Sequence, residues 1–315
     1  MKVSIIIVNY RVPKLLAACL RSIKENVKCT YEVIVTDNAS GDNSVEMVRN
    51  DFPWVNIIAN PYNSGFAAGN NIGLKYASGE YVFYLNPDAE VIGAAVDMLV
   101  KYLDDHPDVG LVSPKLLNTD GSLQRSVRRY YSFFETMLDN RVVPYLSFGN
   151  KWIQKHSYAF WKHDEEREID WAKGAALMVR KKILDEIGAF DEQFWIYAEE
   201  MDLCYRIKQS GWKIVFQPNA LIRHHEKQSS RQHNTVMFIQ NYKSLYLFIM
   251  KHYSWFSFQL YRSRAMFLIC MWIMYFFIRS GFGDHSAKAE YSKYIALFKW
   301  HLKFRENIQK PLIVS

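Results

Sequence analysis

No glycine follows the first apolar strand of this sequence: Val3 to Val8 runs straight into Asn9-Tyr10-Arg11-Val12-Pro13. That counts against a dinucleotide-binding turn, where glycines let the backbone approach a pyrophosphate. The chain has no Gly-x-x-x-x-Gly-Lys-Ser/Thr loop either, so P-loop chemistry is not expected. Cysteine is scarce. Cys19, Cys29, Cys204 and Cys270 are scattered without a Cys-x-x-Cys pair, and read as reduced cytosolic thiols, not as a disulfide framework or zinc site. The short apolar N-terminus lacks a small-residue cleavage site, so no signal peptide is read there. Internal repeats and low-complexity tracts are missing. The apolar run Ala265 to Ile278 is fourteen residues long, short of the roughly 20 that a membrane-spanning helix needs.

Half of the 315 residues are apolar and the charge content is ordinary, enough for a substantial core. The net charge of +7 and pI near 9.0 point to an anionic partner: nucleotide, nucleic acid or anionic lipid. Strands are expected at Val3–Val8, Glu32–Thr36, Val55–Ala59 and Tyr81–Leu85. Helices are expected between them at Pro13–Asn26, Ser44–Asn50 and Phe66–Ala77. That alternation predicts right-handed βαβ units and a mostly parallel sheet flanked by helices. Three strands end in polar loops on one edge: Asn9-Tyr10-Arg11, Asp37-Asn38-Ala39-Ser40 and Asn86-Pro87-Asp88. Ligands of open α/β sheets bind at that edge. Tyr10 can stack on a nucleobase and Asp37 can accept from a base N–H. Tyr10 covering the sheet end and Asp37 capping a turn remain the alternatives. Asn63-Ser64-Gly65-Phe66, with Asn70 beyond it, opens a helix whose N-terminus suits phosphate. A capped helix packed through small residues is the alternative there.

Four ordered motifs together resemble the family 2 glycosyltransferases, in their rhamnosyltransferase-like branch. They are Ser4 to Tyr10, Val35 to Ser40, Asn63 to Ala67 and Leu85 to Asp88, and the likeness covers roughly residues 1 to 230. The resemblance implies a GT-A fold, with Tyr10 and Asp37 on the donor's nucleoside. The donor-binding set read on this basis is Asn9, Tyr10, Asp37, Asn38, Asn63, Gly65, Phe66, Asn70 and Asn86. It further implies that Asp88, in the family's Asp-x-Asp position, binds Mg²⁺ or Mn²⁺ at the diphosphate. Asn86 stands where the first aspartate of that element would be, so Asp88 carries most of the charge and Glu90 is left outside the site.

Later in the chain, Arg125, Arg128 and Arg129 fall close together. Arg128 and Arg129 are read as diphosphate or acceptor contacts, with a solvated basic surface as the alternative. Residues 130 to 168 are read as an acceptor-side loop. Trp171 and Gly174, at a glycine turn before a strand, are further acceptor-side candidates. Tyr197 to Arg206 opens a helix whose first turn holds Glu199, Glu200 and Asp202; complementing the helix dipole is the plain explanation. The resemblance makes this the family's Glu-Asp-x-Asp segment, with Glu200 as the general base, Asp202 as first alternate and Glu199 as second. It also implies His224, in preference to His225, as a further metal ligand.

The expected organisation is a GT-A catalytic domain over 1–232, with a nucleotide-sugar half to about 115 and an acceptor half from about 116. A helical region, 233–315, follows. Its basic, aromatic helices are expected on an anionic membrane surface, with helical packing or a homodimer contact as the alternative. The basic pI needs no nucleic acid. The expected activity is metal-dependent inverting transfer of a sugar from a nucleotide-diphosphate donor to a saccharide or polyprenyl-diphosphate-linked acceptor. The expected place is the cytoplasm, at the inner face of the cytoplasmic membrane. A catalytically silent binding scaffold and a nucleotidyltransferase are the rival readings.

Overall fold

The computed structural model describes residues 1–130, 161–225 and 234–304, together with Tyr158 and Ile308. Most of the expected acceptor-side loop and the expected boundary at 232 lie outside the described residues. By internal contacts the chain forms two units. One is Met1–Trp195 with Glu199–Ser229, the other Ile196–Ala198 with Ser230–Ser315.

The first unit begins β1 (Val3–Asn9), α1 (Pro13–Asn26), β2 (Tyr31–Asp37), α2 (Ser44–Asp51), β3 (Asn56–Ala59), α3 (Phe66–Leu74) and β4 (Tyr81–Leu85). β1 and β4 are buried along their whole length, as apolar runs without alternation require of strands covered on both faces. Pro13 opens α1 because its fixed φ suits a first helical turn and its missing N–H is not needed there. α3 lies close on β1: a Cβ at Gly73 would come 2.7 Å from Ile6 Cγ2. It ends at Leu74, three residues before the expected Ala77.

Next come β5 (Ala89–Ile92), α4 (Ala95–Asp105), β6 (Val109–Leu117), β7 (Leu123–Gln124), β8 (Val127–Arg128), β9 (Arg167–Glu168), β10 (Trp171–Ala172), β11 (Ala176–Arg180), α5 (Lys181–Ile187), α6 (Glu199–Gln209) and β12 (Lys213–His224). The main sheet runs β3-β2-β1-β4-β11-β6-β12-β5. β1 to β4 pair in parallel, β11 runs against β4 and β6, β6 and β12 are parallel, and β5 closes the edge antiparallel to β12. The mostly parallel α/β sheet expected from the sequence is therefore present. β12 is one long strand whose register with β6 shifts between Gln217 and Leu221. Pro218 falls inside that shift, where a missing donor does least harm.

The second unit holds α7 (Asn234–His252), α8 (Trp255–Gly281) and α9 (His285–Leu302). Ser254 Oγ caps α8 by accepting from Ser257 N, and the Asp284 carboxylate caps α9 by accepting from Ser286 N and Ala287 N. Its core centres on Tyr246, fully buried among Phe258, Tyr261, Trp300 and Phe304. The Tyr246 hydroxyl bonds His301 Nε2 at 2.7 Å, so a buried polar atom is satisfied. The fourteen-residue apolar run lies within α8, a helix of 27 residues. By length and composition that helix is long and apolar enough to cross a membrane, which the run alone was not expected to be.

Candidate active site

The parallel strands deliver their polar ends to one edge. Asn9 closes β1 and Asp37 closes β2, in register with each other. Asn9 Nδ2 donates to Asp37 Oδ1 at 2.7 Å, and Ser40 Oγ donates to the same oxygen at 2.6 Å. Asp37 is thus buried and held, with Oδ2 accepting from Ser40 N at 3.1 Å. Arg11 clips the two loops together, its backbone N and Nε donating to Ser40 Oγ and O. Tyr10 beside it is half-buried under the Arg11 guanidinium, 5.0 Å from the ring centre. Arg11 and Ala39 both have φ near +57°, a strained region for residues with a Cβ that clusters at functional sites.

The loop before α3 is fastened to the same edge. Asn38 Nδ2 donates to Gly65 O at 2.8 Å, while Asn38 Oδ1 accepts from Asn60 and Ser64. Asn63 Oδ1 accepts from Gly65 N. Gly65 sits at φ 87°, ψ 176°, a region only glycine adopts freely. A Cβ there would come within 2.5 Å of the Trp195 carbonyl oxygen, which accepts from Phe66 N. Gly65→Ala should therefore lower stability by roughly 2 kcal/mol or more, read as a drop in Tm. Asn70 is not brought to the open edge: it is 1 % exposed and its amide donates back to Phe66 O within α3. The Phe66 ring packs on Phe190, 6.1 Å away.

At the end of β4, Asp88 Oδ1 lies 3.2 Å from His224 Nε2, with both residues buried. Asn86 Nδ2 approaches the same nitrogen at 3.4 Å, and Asn86 Oδ1 has no hydrogen-bond partner among the described residues. Gln124 fixes the imidazole. Its Nε2 donates to Asn118 Oδ1 and His224 O, which leaves Oε1 to accept from His224 Nδ1–H at 2.7 Å. Nε2 is then the ring nitrogen that faces a carboxylate oxygen. Two acceptors so close need a proton or a cation between them. Among the described residues no three His, Cys, Asp or Glu converge. The protein therefore offers two strong ligands and an orphaned amide oxygen, an N/O set that suits Mg²⁺ or Mn²⁺ completed by phosphate oxygens. His225 turns elsewhere, its Nε2 2.6 Å from Glu90 Oε1.

β11 begins beside β4, and Asn86 N donates to Ala175 O at 2.9 Å. Gly174, one residue earlier, packs on Glu200: a Cβ at Gly174 would lie 3.4 Å from Glu200 Cβ. This contact brings the first turn of α6 to the β4 end. Burial raises the Glu200 pKa, and hydrogen bonds from its own N–H and that of Gly174, with Lys173 and Arg128 nearby, pull it back. Glu199 is 4 % exposed, and burial beside Glu200 pushes its pKa well above the usual carboxylate range. Each carboxyl keeps one oxygen, Oε2, without a hydrogen-bond partner among the described residues. Asp202 is fully buried and accepts from Arg206 Nε at 2.8 Å. Arg206 in turn binds the carbonyls of Ile187, Gly188 and Ala189. Tyr197 and Ala198, just before the acidic turn, also have positive φ.

Trp171 is buried, with Nε1 donating to Arg129 O. Its strand β10 pairs with β8, so Arg128 stands opposite Trp171. Arg128 and Arg129 are both exposed, and the Arg129 guanidinium lies over the Tyr158 ring. Sequence reasoning missed Gln124, Asn60 and the strand β5 that carries Glu90. Gln124 lay in an unremarkable turn region, and only the pairing of β7 with β6 brings it to His224.

The chain is similar over 263 residues to the N-acetylglucosaminyl-diphospho-decaprenol L-rhamnosyltransferase of Mycobacterium tuberculosis, at 25% identity, covering 80% of this chain and 85% of that one. It is 24% identical to the rhamnosyltransferase WbbL of Escherichia coli over 244 residues, 73% of this chain and 87% of that one. A mannosyltransferase of Pyrobaculum calidifontis, solved with GDP-Man and Mn²⁺, shares the fold. Its TM-score is 0.58 at 16% identity, over 98% of this chain and 84% of that one. The GT-A-type fold expected from the sequence is thereby met. Residues 4–160, about half of the chain, match the family described as Glycosyl transferase family 2, and with these likenesses the chain belongs to that family and is a glycosyltransferase.

Proposed function

We propose that the chain transfers a sugar, with inversion, from a nucleoside-diphosphate donor to a hydroxyl of a saccharide or polyprenyl-diphosphate-linked saccharide. The relatives named as rhamnosyltransferases support rhamnose as the sugar, and deoxythymidine diphosphate is the carrier proposed with it. One observation carries the reading. Contacts run unbroken from Asp88 and His224 through Asn86 and Ala175 to Gly174 and Glu200.

In this reading Asp88 and His224 hold Mg²⁺ or Mn²⁺, with Asn86 Oδ1 beside them; the solved mannosyltransferase's Mn²⁺ supports a divalent cation. When bound, the cation neutralises the departing diphosphate. The Asp37 edge and the Gly65 loop hold the donor's nucleoside. Glu200 takes the acceptor hydroxyl's proton as the new C–O bond forms and the anomeric C–O bond to phosphate breaks, the electron pair leaving with the diphosphate. Burial beside Glu200 pushes the Glu199 pKa up, which disfavours a second negative charge beside the base. Asp202 positions α6 through Arg206 and takes no proton. Residues 1–232 are the catalytic domain, with Trp171, Gly174, Arg128 and Arg129 on its acceptor side.

Two outcomes test the parts. Activity requires ionised Glu200, whose pKa is raised, so the acid limb of kcat/KM should lie above the ordinary glutamate value. Removing a nearby cation disfavours the carboxylate, so Arg128→Gln should move that limb to still higher pH. Gln124→Met should weaken Mn²⁺ binding by roughly 10–100-fold, because a ligand histidine loses the partner that orients it. Mn²⁺ electron paramagnetic resonance reads that loss without turnover. The reading as a whole is tested by transfer across a panel of nucleotide sugars with and without Mg²⁺ or Mn²⁺.

A further inference from the structure

α8 carries two apolar stripes where a helix of a water-soluble domain needs one. The first, Phe258, Ala265 and Ile269, is buried, and α8 packs on α9 and α7. The second recurs at helical spacing through Phe256, Leu260, Phe267, Met271, Met274 and Ile278, and all six are exposed. Phe256 is 71% exposed and Phe267 64%. Trp255 stands exposed at one end of the helix and Phe282 just beyond the other, the places where aromatic rings sit at a lipid–water boundary. A contiguous apolar face of this size marks a contact surface.

The charge around it decides what it contacts. Residues 234–304 contain nine lysines and arginines against Asp284 and Glu290 alone, so this segment carries a net charge equal to the whole chain's +7. Two copies brought together through it would repel each other, whereas an anionic bilayer attracts it. At the start of α8, a cleft of about 320 Å³ is lined by Met250, Tyr253, Trp255, Phe258, Arg262 and Phe304. Arg262 Nε is buried there without a hydrogen-bond partner among the described residues. An apolar cleft with an unmet guanidinium N–H suits a lipid chain ending in phosphate. Arg262 and Arg264 on one side and Arg279 on the other bracket the fourteen apolar residues. α8 is long enough to span a bilayer, but its Phe258, Ala265 and Ile269 stripe is buried and the helix packs on α9 and α7, which leaves one apolar face to lie along a membrane surface.

We propose that the exposed face of α8 lies in the interface of an anionic phospholipid bilayer, with Arg262 at a lipid phosphate. The placement is independent of the transferase reading. Its test is co-sedimentation of the full chain with vesicles of phosphatidylcholine alone or mixed with phosphatidylglycerol, at low and high salt. The expected result is binding about tenfold or more tighter to the anionic vesicles, weakened by salt. The triple variant Phe267→Gln, Met271→Gln, Met274→Gln should bind about tenfold less, with helix content, melting and turnover of a soluble acceptor unchanged. Arg262→Gln should reduce the preference for anionic vesicles. The absence of binding to anionic vesicles, or undiminished binding by the triple variant, overturns the proposal. So does a dimer in light scattering that the triple variant dissolves, which would give the face to a second copy.

Discussion

Glu200→Gln lowers kcat by roughly 10²–10⁴-fold, the usual worth of a positioned general base, and leaves donor and Mn²⁺ affinity intact. Glutamine keeps the shape and the acceptor for Gly174 N–H but cannot take a proton. The variant's stability should be unchanged or higher, since a part-buried carboxylate beside the buried Glu199 becomes a neutral amide. Asp202→Asn separates the roles. It removes the charge of a fully buried carboxylate from its pair with the part-buried Arg206, which ties α6 to the Ile187–Ala189 backbone. Its loss is expected in stability, by about 3–5 kcal/mol, before it is seen in chemistry. Turnover at a fixed fraction folded, with thermal melts for both variants, reads the two effects apart. An Asp202→Asn enzyme that melts normally but is inactive would move the base to Asp202.

Asp88→Ala is expected to cost roughly 10²–10³-fold in kcat/KM, the several kcal/mol that a cation supplies to a leaving diphosphate. The loss should be accompanied by weaker Mn²⁺ binding, because Asn86 carries no charge and His224 alone holds a divalent ion poorly. Stability should change little or rise, since Asp88 is buried against an imidazole that needs a proton or cation to balance it. Calorimetric titration of Mn²⁺ and donor, alone and together, checks this. The variant should bind donor without cation as well as wild type does and gain nothing from Mn²⁺. Full activity in Asp88→Ala would remove the metal from this edge.

Much of this architecture was legible because the first half of the chain obeys simple rules. Val3–Val8 and Tyr81–Leu85 are unbroken apolar runs, a pattern that strands buried on both faces share with buried helix segments, and their short length favours the strand. Their polar ends, Asn9, Asp37 and Asn86-Pro87-Asp88, follow at once, so the site edge could be read from punctuation. What the sequence hid was long-range pairing. β5 is four residues after a turn, and it is a strand only because β12 lies beside it. Gln124 meets His224 across a hundred residues, through two residues of β7 on β6. Asn70 falls inside α3, as the expected helix from Phe66 to Ala77 already placed it, but that its amide serves the helix backbone is not visible in the sequence. The Ala265–Ile278 run misjudged the helix around it, since Trp255 to Arg264 continues the same helix with a mixed composition that the apolar count omits.

The most direct measurement is release of nucleoside diphosphate from deoxythymidine-diphosphate rhamnose and a panel of other nucleotide sugars. Wild type and Glu200→Gln are compared with Mn²⁺ and with EDTA, and donor binding is followed in parallel. The account predicts at least one donor turned over by wild type with Mn²⁺, little with EDTA, and little by Glu200→Gln although it still binds that donor. Turnover unaffected by EDTA and by Glu200→Gln, or no donor bound by wild type, would contradict it.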